Sequence, residues 1–116
     1  MKIKQLPTDF IVEEIPLIEI TKEKKQHSIF ILEKQKMDTF EALRFIAKNF
    51  RISLFEIGYA GLKDKHGLTK QYISIPSKYN IKSNEIKNLK LEFIGYNNKK
   101  IKTGDLKGNK FTITVR

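Results

Sequence analysis

The chain has 116 residues, no cysteine and two histidines, and 40% of its residues are apolar. This length allows a single domain with a modest core, and no apolar run is long enough to cross a membrane. The composition excludes disulfides and thiolate chemistry and leaves no plausible zinc site, and no signal peptide is recognisable. We therefore expect a cytoplasmic protein that binds no metal.

Lysine and arginine outnumber aspartate and glutamate by 23 to 13, which gives a net charge of +10. Such an excess is typical of a protein that binds nucleic acid. A lysine-rich genome composition is the alternative explanation, but exchanging arginine for lysine would not raise the net charge. The shortage of acidic residues therefore favours a nucleic-acid partner.

Three strands are predicted before the first helix. Residues 2–6 alternate in polarity, and a second strand opens at Phe10 and carries apolar residues to position 20. Pro16 interrupts this second strand and indicates an edge or a bend. A strand is predicted over residues 28–33, and its four central residues, 29–32, are all apolar, which indicates burial on both faces. The polar stretch 21–27 between them is predicted to be an exposed hairpin tip.

A helix is predicted from Asp38 to about Phe50. Asp38 and Glu41 form a capping box, and apolar residues recur at helical spacing behind it. The predicted apolar stripe is Phe40, Leu43, Ile46, Ala47 and Phe50. Residues 53–56 repeat the capping pattern weakly, so one helical turn is expected there.

The stretch from Ile57 to Ile75, IGYAGLKDKHGLTKQYISI, carries the candidate chemistry. Two short strands are predicted on either side of a tight turn that is bounded by glycines. Asp64 is the lone carboxylate in that turn, and its basic neighbours would keep it ionised, as a carboxylate nucleophile requires. The structural alternative is an aspartate that merely caps its own turn.

Two more strands are predicted in the rest of the chain, over residues 89–96 and 111–115, with a basic turn at 97–102. Residues 76–88 are predicted to be a loop with room for a short helical turn, and residues 104–108 a loop between glycines. The order of the elements indicates an α+β fold, with a mainly antiparallel or mixed sheet and the helix packed on one face.

Three segments together resemble the TruD-type tRNA pseudouridine synthase family. The segments are KQLPTDFIVEE at 4–14, GYAGLKDKHGLTKQ at 58–71 and KGNKF at 107–111. They occur in the family's order and span nearly the whole chain. Family members are several times longer, so residues 1–116 resemble the N-terminal portion of the catalytic domain of a longer enzyme.

This resemblance implies that the complete protein isomerises a uridine in the D arm of tRNA to pseudouridine, without a metal or an organic cofactor. Asp64 matches the nucleophilic aspartate, which attacks the sugar or the base. Lys63, beside it, is also expected at the substrate. The resemblance further implies a fold like that of part of the pseudouridine synthases, a large sheet whose halves meet at a cleft.

The other motif residues have implied roles at the substrate. Phe111 matches the residue that stacks on the target base, and Asn109 matches a polar neighbour that orients the aspartate or the base. Lys4 matches a cation that keeps the carboxylate ionised. Phe10 and Glu14 match residues that line the active-site cleft, although a core aromatic is the structural alternative for Phe10.

Two other interpretations remain open at this point. A basic RNA-binding domain without catalytic activity would have the same charge, but it would gain nothing from a carboxylate among its phosphate contacts. The second alternative is an inactive fragment of the enzyme, which would also show no turnover. We expect residues 1–116 alone not to isomerise tRNA, and to self-associate through the surface left by the missing C-terminal part.

Overall fold

The structure is a computed structural model that describes residues 10–61, 67–86 and 88–114. Within these ranges the strands are β1 (Phe10–Pro16), β2 (His27–Gln35), β3 (Gly58–Tyr59), β4 (Leu68–Pro76), β5 (Asn84–Ile86), β6 (Leu89–Asn97) and β7 (Leu106–Ile113). Helix α1 (Thr39–Phe50) lies between β2 and β3 in the chain, and single 3-10 turns occupy Leu54–Glu56 and Ser77–Tyr79. The strand predicted over residues 2–6 lies outside the described residues.

The strands form one mixed sheet. Their order is β5-β6-β2-β4-β1-β7, and β3 lies beside β4. Among the described strands, β1 and β4 are the only parallel pair, and every other pairing is antiparallel. The predicted α+β class, with a helix packed on one face of a mixed sheet, is confirmed.

Helix α1 begins after the predicted capping residue Asp38 and ends at Phe50, as the sequence predicts. The side chain of Asp38 accepts a hydrogen bond from the backbone N–H of Glu41 at 2.8 Å, and Arg51 ends the helix in a left-handed conformation. The buried face consists of Thr39, Ala42, Leu43 and Ile46. The predicted stripe was therefore wrong about Phe40, which is 42% exposed because it lies at the margin of that face, edge-on to Tyr59.

The sheet is buried on both faces at β2, as the apolar run at 28–33 predicts. Phe30 and Leu32 pack with helix α1 on one face, and Ile29 belongs to a second apolar cluster on the other. Both clusters are continued by β4, where Ile73 and Ile75 share the helix-covered face with Phe30. The two central strands therefore contribute to both apolar clusters.

One side of β4 is divided between two partners. β2 pairs with the whole of β4 on one side, so β1 and β3 must share the other side. β1 takes residues 68–70, and β3 takes residues 73–74. Between them the backbone N–H of Tyr72 donates to the carboxylate of Glu14 at 2.9 Å, so a side chain replaces the missing strand partner.

The hairpin predicted around residues 21–27 was wrong, because β4 lies between β1 and β2. Thr21 instead forms an isolated bridge with Tyr96 beside β6. The second predicted strand also ends earlier than expected, at Pro16, where the register with β7 shifts. The polarity of a segment shows that it is exposed, but it does not determine which strand lies next to it.

The C-terminal half contains more strand than the sequence predicts. β5 is a short edge strand inside the predicted loop at 76–88, and β7 begins at Leu106 rather than at Phe111. Residues 106–110 pair with Glu13 to Pro16 of β1, and this long-range partner overrides the low strand propensity of Gly108.

No helix in the described part of the chain is long and apolar enough to cross a membrane. Among the described strands β7 pairs only with β1, and its residues 109–113 are exposed. Self-association through such an edge, which the sequence led us to expect, stays a prediction.

Two strand glycines provide a matched test of the packing around β3. A Cβ at Gly58 would contact the Ser74 hydroxyl and lie 2.5 Å from the carbonyl oxygen of Ile101, whereas a Cβ at Gly108 would meet nothing within 4 Å. We expect Gly58→Ala to lower the free energy of unfolding by about 1–3 kcal/mol or more, because backbone atoms must shift. Gly108→Ala should change it by less than about 0.5 kcal/mol. Urea unfolding of both variants checks this, and equal stability would contradict the close packing at Gly58.

Candidate active site

The connection between β3 and β4 is the centre of the candidate site. β3 ends at Tyr59 and β4 begins at Leu68, so Asp64 lies in the sequence between two strands, as predicted. Asp64, Lys63 and Lys4 themselves lie outside the described residues. The geometry of the site therefore comes from the residues on either side of this connection and from the sheet next to it.

Both described ends of the connection are fixed by the sheet. At Gly61 the backbone carbonyl accepts a hydrogen bond from the side-chain amide of Gln71, with 3.1 Å between Nε2 and the oxygen. At Gly67 the backbone has a φ of 77°. A Cβ there would contact the carbonyl oxygen of Phe10 and lie 2.9 Å from its ring. Glycine is required at position 67 by the positive φ and by this close approach.

Four of the sequence-predicted residues share one face of the sheet beside this connection. Phe111 lies opposite Val12 and Asn109 lies opposite Glu14 in the antiparallel β1–β7 pair, so their side chains project to the same face. Phe10 is on that face as well, and its ring centroid lies 6.3 Å from that of Phe111. Phe10 is 36% exposed and Phe111 is 60% exposed. Neither ring is therefore a core residue, and Phe111 does not pack against helix α1.

Glu14 differs from the other three because it is buried. Its side chain is 5% exposed, and its carboxylate accepts the hydrogen bond from Tyr72 in the gap between β1 and β3. Burial raises the pKa of the Tyr72 phenol, and the charges of Glu13, Glu14 and Glu92 raise it further. The phenol therefore stays neutral at physiological pH, and Glu14 holds the backbone next to the site.

Four buried polar side chains next to the connection were missed by the sequence reasoning. Lys34, Thr39, Thr69 and Gln71 are each at most 2% exposed. The Thr39 hydroxyl donates to Oε1 of Gln71 at 3.0 Å, and the Lys34 ammonium donates to the carbonyl oxygen of Met37 at 2.9 Å. The alternation of side chains along a strand could have revealed them. Lys34 lies on the same face of β2 as the buried Leu32, and Gln71 lies on the same face of β4 as the buried Ile73.

A basic cavity lies at the other end of the sheet. It has a volume of about 1060 Å³ and is lined by residues of 18–25 and 97–105, which follow β1 and β6 or precede β7. Its basic residues are Lys25, Lys99, Lys100 and Lys102. The polar tip at 21–27 and the basic turn at 97–102, which are distant in sequence, therefore contribute to one concave surface.

Two of the three described acidic residues that line the cavity, Glu23 and Asp105, already have partners. Glu23 forms an ion pair with Lys25 at 3.5 Å, and the Asp105 carboxylate accepts the backbone N–H of Lys102 at 2.9 Å. The ammonium of Lys100 donates to the carbonyl oxygen of Phe55. Among the described residues no ion pair is recorded for Lys99 or Lys102, so these two side chains are available to an external anion.

Known proteins resemble this chain over almost its whole length. The family model of tRNA pseudouridine synthase D (TruD) matches residues 1–116. A protein of Methanocaldococcus jannaschii named as a probable tRNA pseudouridine synthase D 2 is 50% identical over 100% of this chain and 27% of its own length. The tRNA pseudouridine synthase D of Sulfurimonas denitrificans is 47% identical over 97% of this chain and 32% of its own length.

A crystal structure of a TruD protein from Methanosarcina mazei has the same fold over this region. It superposes with a TM-score of 0.84 at 36% identity and covers 97% of this chain but 26% of its own. The chain thus spans about a quarter to a third of the length of these relatives. Since the family model matches every residue from 1 to 116, the chain belongs to the TruD family of tRNA pseudouridine synthases.

Proposed function

We propose that this chain is the N-terminal part of the catalytic domain of a tRNA pseudouridine synthase, which isomerises a uridine in the D arm of tRNA with Asp64 as nucleophile. The observation that carries this proposal is the exposed aromatic face of β1 and β7. That face lies directly beside Gly67, three residues after Asp64. A carboxylate in the connection would therefore lie close to a surface on which a base can stack.

The reaction needs an ionised carboxylate and a way to hold the detached base. Asp64 attacks the sugar or the base, the bond between the sugar and the ring nitrogen breaks, and the base rotates. A bond from the sugar to a ring carbon then forms, and the bond to Asp64 breaks so that its carboxylate is released. The ring carbon loses its proton to solvent, and the freed ring nitrogen takes up a proton. The product is an isomer of the substrate, so no oxidant, reductant or second substrate takes part. Lys4 and Lys63 would keep the carboxylate charged.

Removing the target base from its stack costs a few kcal/mol, and contacts with the enzyme must offset part of this cost. Stacking on an aromatic side chain contributes about 1–3 kcal/mol per base. Phe111 has the exposure that such a contact needs, and Phe10 supports one side of its ring. Asn109 is exposed on the same face, where its amide can bind the edge of the base.

The rest of the affinity would come from the RNA backbone. Lys99 and Lys102 in the basic cavity are the best placed cations for phosphate contact, and Lys22, Lys24 and Lys25 on the preceding polar stretch can extend it. Both a tRNA substrate and a cysteine-free chain fit a cytoplasmic protein.

The first prediction concerns the nucleophile. In the complete protein containing this segment, we expect Asp64→Asn to abolish pseudouridine formation and to leave the Kd for tRNA within about twofold, because an amide fills the same space but cannot attack. Release of tritium from tRNA labelled at the ring carbon that joins the sugar measures turnover. Asp105→Asn is the matched control and should retain activity, since an amide oxygen can still accept the Lys102 N–H.

Two results would contradict this assignment. Wild-type turnover by Asp64→Asn would exclude Asp64 as the nucleophile. Tight tRNA binding by the complete wild-type protein without any tritium release would instead favour an RNA-binding domain that modifies nothing.

The second prediction concerns base stacking. Phe111→Ala should slow single-turnover pseudouridine formation by roughly 5- to 150-fold, the equivalent of about 1–3 kcal/mol. Phe111→Tyr should restore most of the rate, because it keeps the aromatic face. Phe55, which is 87% exposed, offers a control, and Phe55→Ala should leave the rate unchanged. An unchanged rate in Phe111→Ala would remove the stacking role.

The third prediction concerns the cavity. Lys99→Gln and Lys102→Gln should each weaken tRNA binding and reduce the slope of log K against log salt by about 1, because each removes one phosphate contact. Lys48→Gln on the exposed side of helix α1 is the control for net charge. If the dependence of log K on log salt is the same in all three variants, the RNA backbone does not contact Lys99 or Lys102.

A further inference from the structure

Gln71 is a fully buried amide in β4, and both of its polar atoms are used. Its Oε1 accepts a hydrogen bond from the Thr39 hydroxyl at 3.0 Å, and its Nε2 donates to the Gly61 carbonyl at 3.1 Å. A backbone carbonyl can only accept, so the amide nitrogen must face Gly61 and the amide oxygen must face Thr39. The orientation of the side chain is therefore determined by its two partners.

Two of the three residues in this short chain of hydrogen bonds belong to the helix and the sheet. Thr39 is the first residue of helix α1 and is 1% exposed, immediately after the capping residue Asp38. Gln71 itself lies opposite Leu32 in the centre of the sheet. The hydrogen bonds thus connect the start of the helix, through the central strand, to the backbone at Gly61.

Gly61 and Gly67 are equally distant from Asp64, three residues before it and three residues after it. The conformation at Gly67 is restricted by its positive φ and by the close approach of Phe10. The carbonyl of Gly61 is hydrogen-bonded to the side chain of Gln71. The two ends of the connection are therefore fixed by different parts of the sheet. The contact at Gly61 is made by the side chain of Gln71, which a substitution can remove. The close approach at Gly67 involves the backbone of Phe10, which a substitution leaves in place.

We propose that Gln71 is a positioning residue for the reaction: it fixes the backbone at Gly61, and through it the placement of the Asp64 carboxylate. This inference rests on the proposed function of Asp64. Gln71 does not touch the substrate, and its effect is on the rate of the chemical step rather than on binding. A displacement of about 1 Å at a reacting group can cost on the order of 100-fold in rate.

The matched control is Ser74, which lies on the same strand and is also fully buried. Its hydroxyl accepts the backbone N–H of Ile101 at 3.0 Å, on the side of the sheet away from the helix. Gln71→Leu and Ser74→Ala both remove buried hydrogen bonding from β4, but only the first releases Gly61. A general loss of stability would affect both variants.

In the complete protein, Gln71→Leu should lower the single-turnover rate by roughly 10- to 100-fold, with the Kd for tRNA within about twofold. Ser74→Ala should keep the wild-type rate at a temperature where both variants are folded. Gln71→Glu provides a rescue, because a protonated carboxyl can donate to Gly61 and an ionised one cannot. Its rate relative to wild type should therefore rise as the pH falls.

A second measurement does not depend on catalysis. Lys63 and Lys65 are trypsin sites inside the connection, and cleavage there reports local opening of the native state. We expect faster cleavage at these sites in Gln71→Leu than in Ser74→Ala. Thr39→Val retains the bond to Gly61 but loses the hydroxyl that orients the amide, so it should give a smaller effect. If Gln71→Leu does not fold, Thr39→Val tests the hydrogen bonds of Gln71 in its place.

The outcomes separate this inference from the proposed function. If wild-type protein forms pseudouridine and Gln71→Leu does so at the same rate, Gln71 has no positioning role. If wild-type protein forms none, the proposed function is wrong and the catalytic role of Gln71 fails with it. The tryptic rates then decide only whether Gln71 fixes the connection, and equal rates in Gln71→Leu and Ser74→Ala would overturn that as well.

Discussion

The division of one side of β4 between β1 and β3 is the constraint on which the rest of this structure depends. A strand edge with two partners must leave some backbone groups between them, and buried backbone groups need hydrogen bonds. The Glu14 carboxylate fills this gap by accepting from Tyr72, and Gln71 reaches from β4 to the carbonyl of Gly61. The connection that contains Asp64 therefore starts at a carbonyl held by Gln71 and ends at Gly67, which Phe10 approaches closely.

The helix-covered face of the sheet changes from apolar to polar along its length. Toward one end Phe30, Ile73 and Ile75 form an apolar core with the helix. Toward the connection the equivalent positions are Lys34, Thr69 and Gln71, which are buried but polar. Burying such groups costs free energy unless hydrogen bonds compensate for it. Their presence beside the connection is the kind of local exception that functional sites show.

Sequence reasoning succeeded where the determinants are local. The capping residues predicted helix α1, and the apolar run predicted β2 with both faces buried. It failed where pairing with a strand that is distant in the sequence determines the local structure. Nothing near Gly108 indicates that β1 will pair with it, and nothing in residues 21–27 indicates that β4 separates the flanking strands. For the candidate site, motif resemblance named Phe10 and Phe111, which lie side by side, but their role at a substrate stays a prediction. The contacts of Gln71 and Lys34 depend on tertiary packing that a single sequence does not contain.

The distance between the exposed aromatic face of β1 and β7 and the basic cavity limits which ligands could contact both surfaces. The aromatic face lies where β4 begins and the basic cavity lies beyond where β4 ends, and this strand has nine residues. At about 3.3 Å per residue the two surfaces are separated by roughly 25 Å. A free nucleoside could occupy only one of them, whereas a folded RNA can place a base on one and phosphates at the other. Because phosphate contacts supply much of the affinity for a nucleic acid and base contacts supply the selectivity, this separation is compatible with the structured RNA ligand that we propose. Under that proposal, the end of the sheet with the basic cavity would tolerate flexible lysines, while the end with the aromatic face would require the fixed geometry around Gly61 and Gly67.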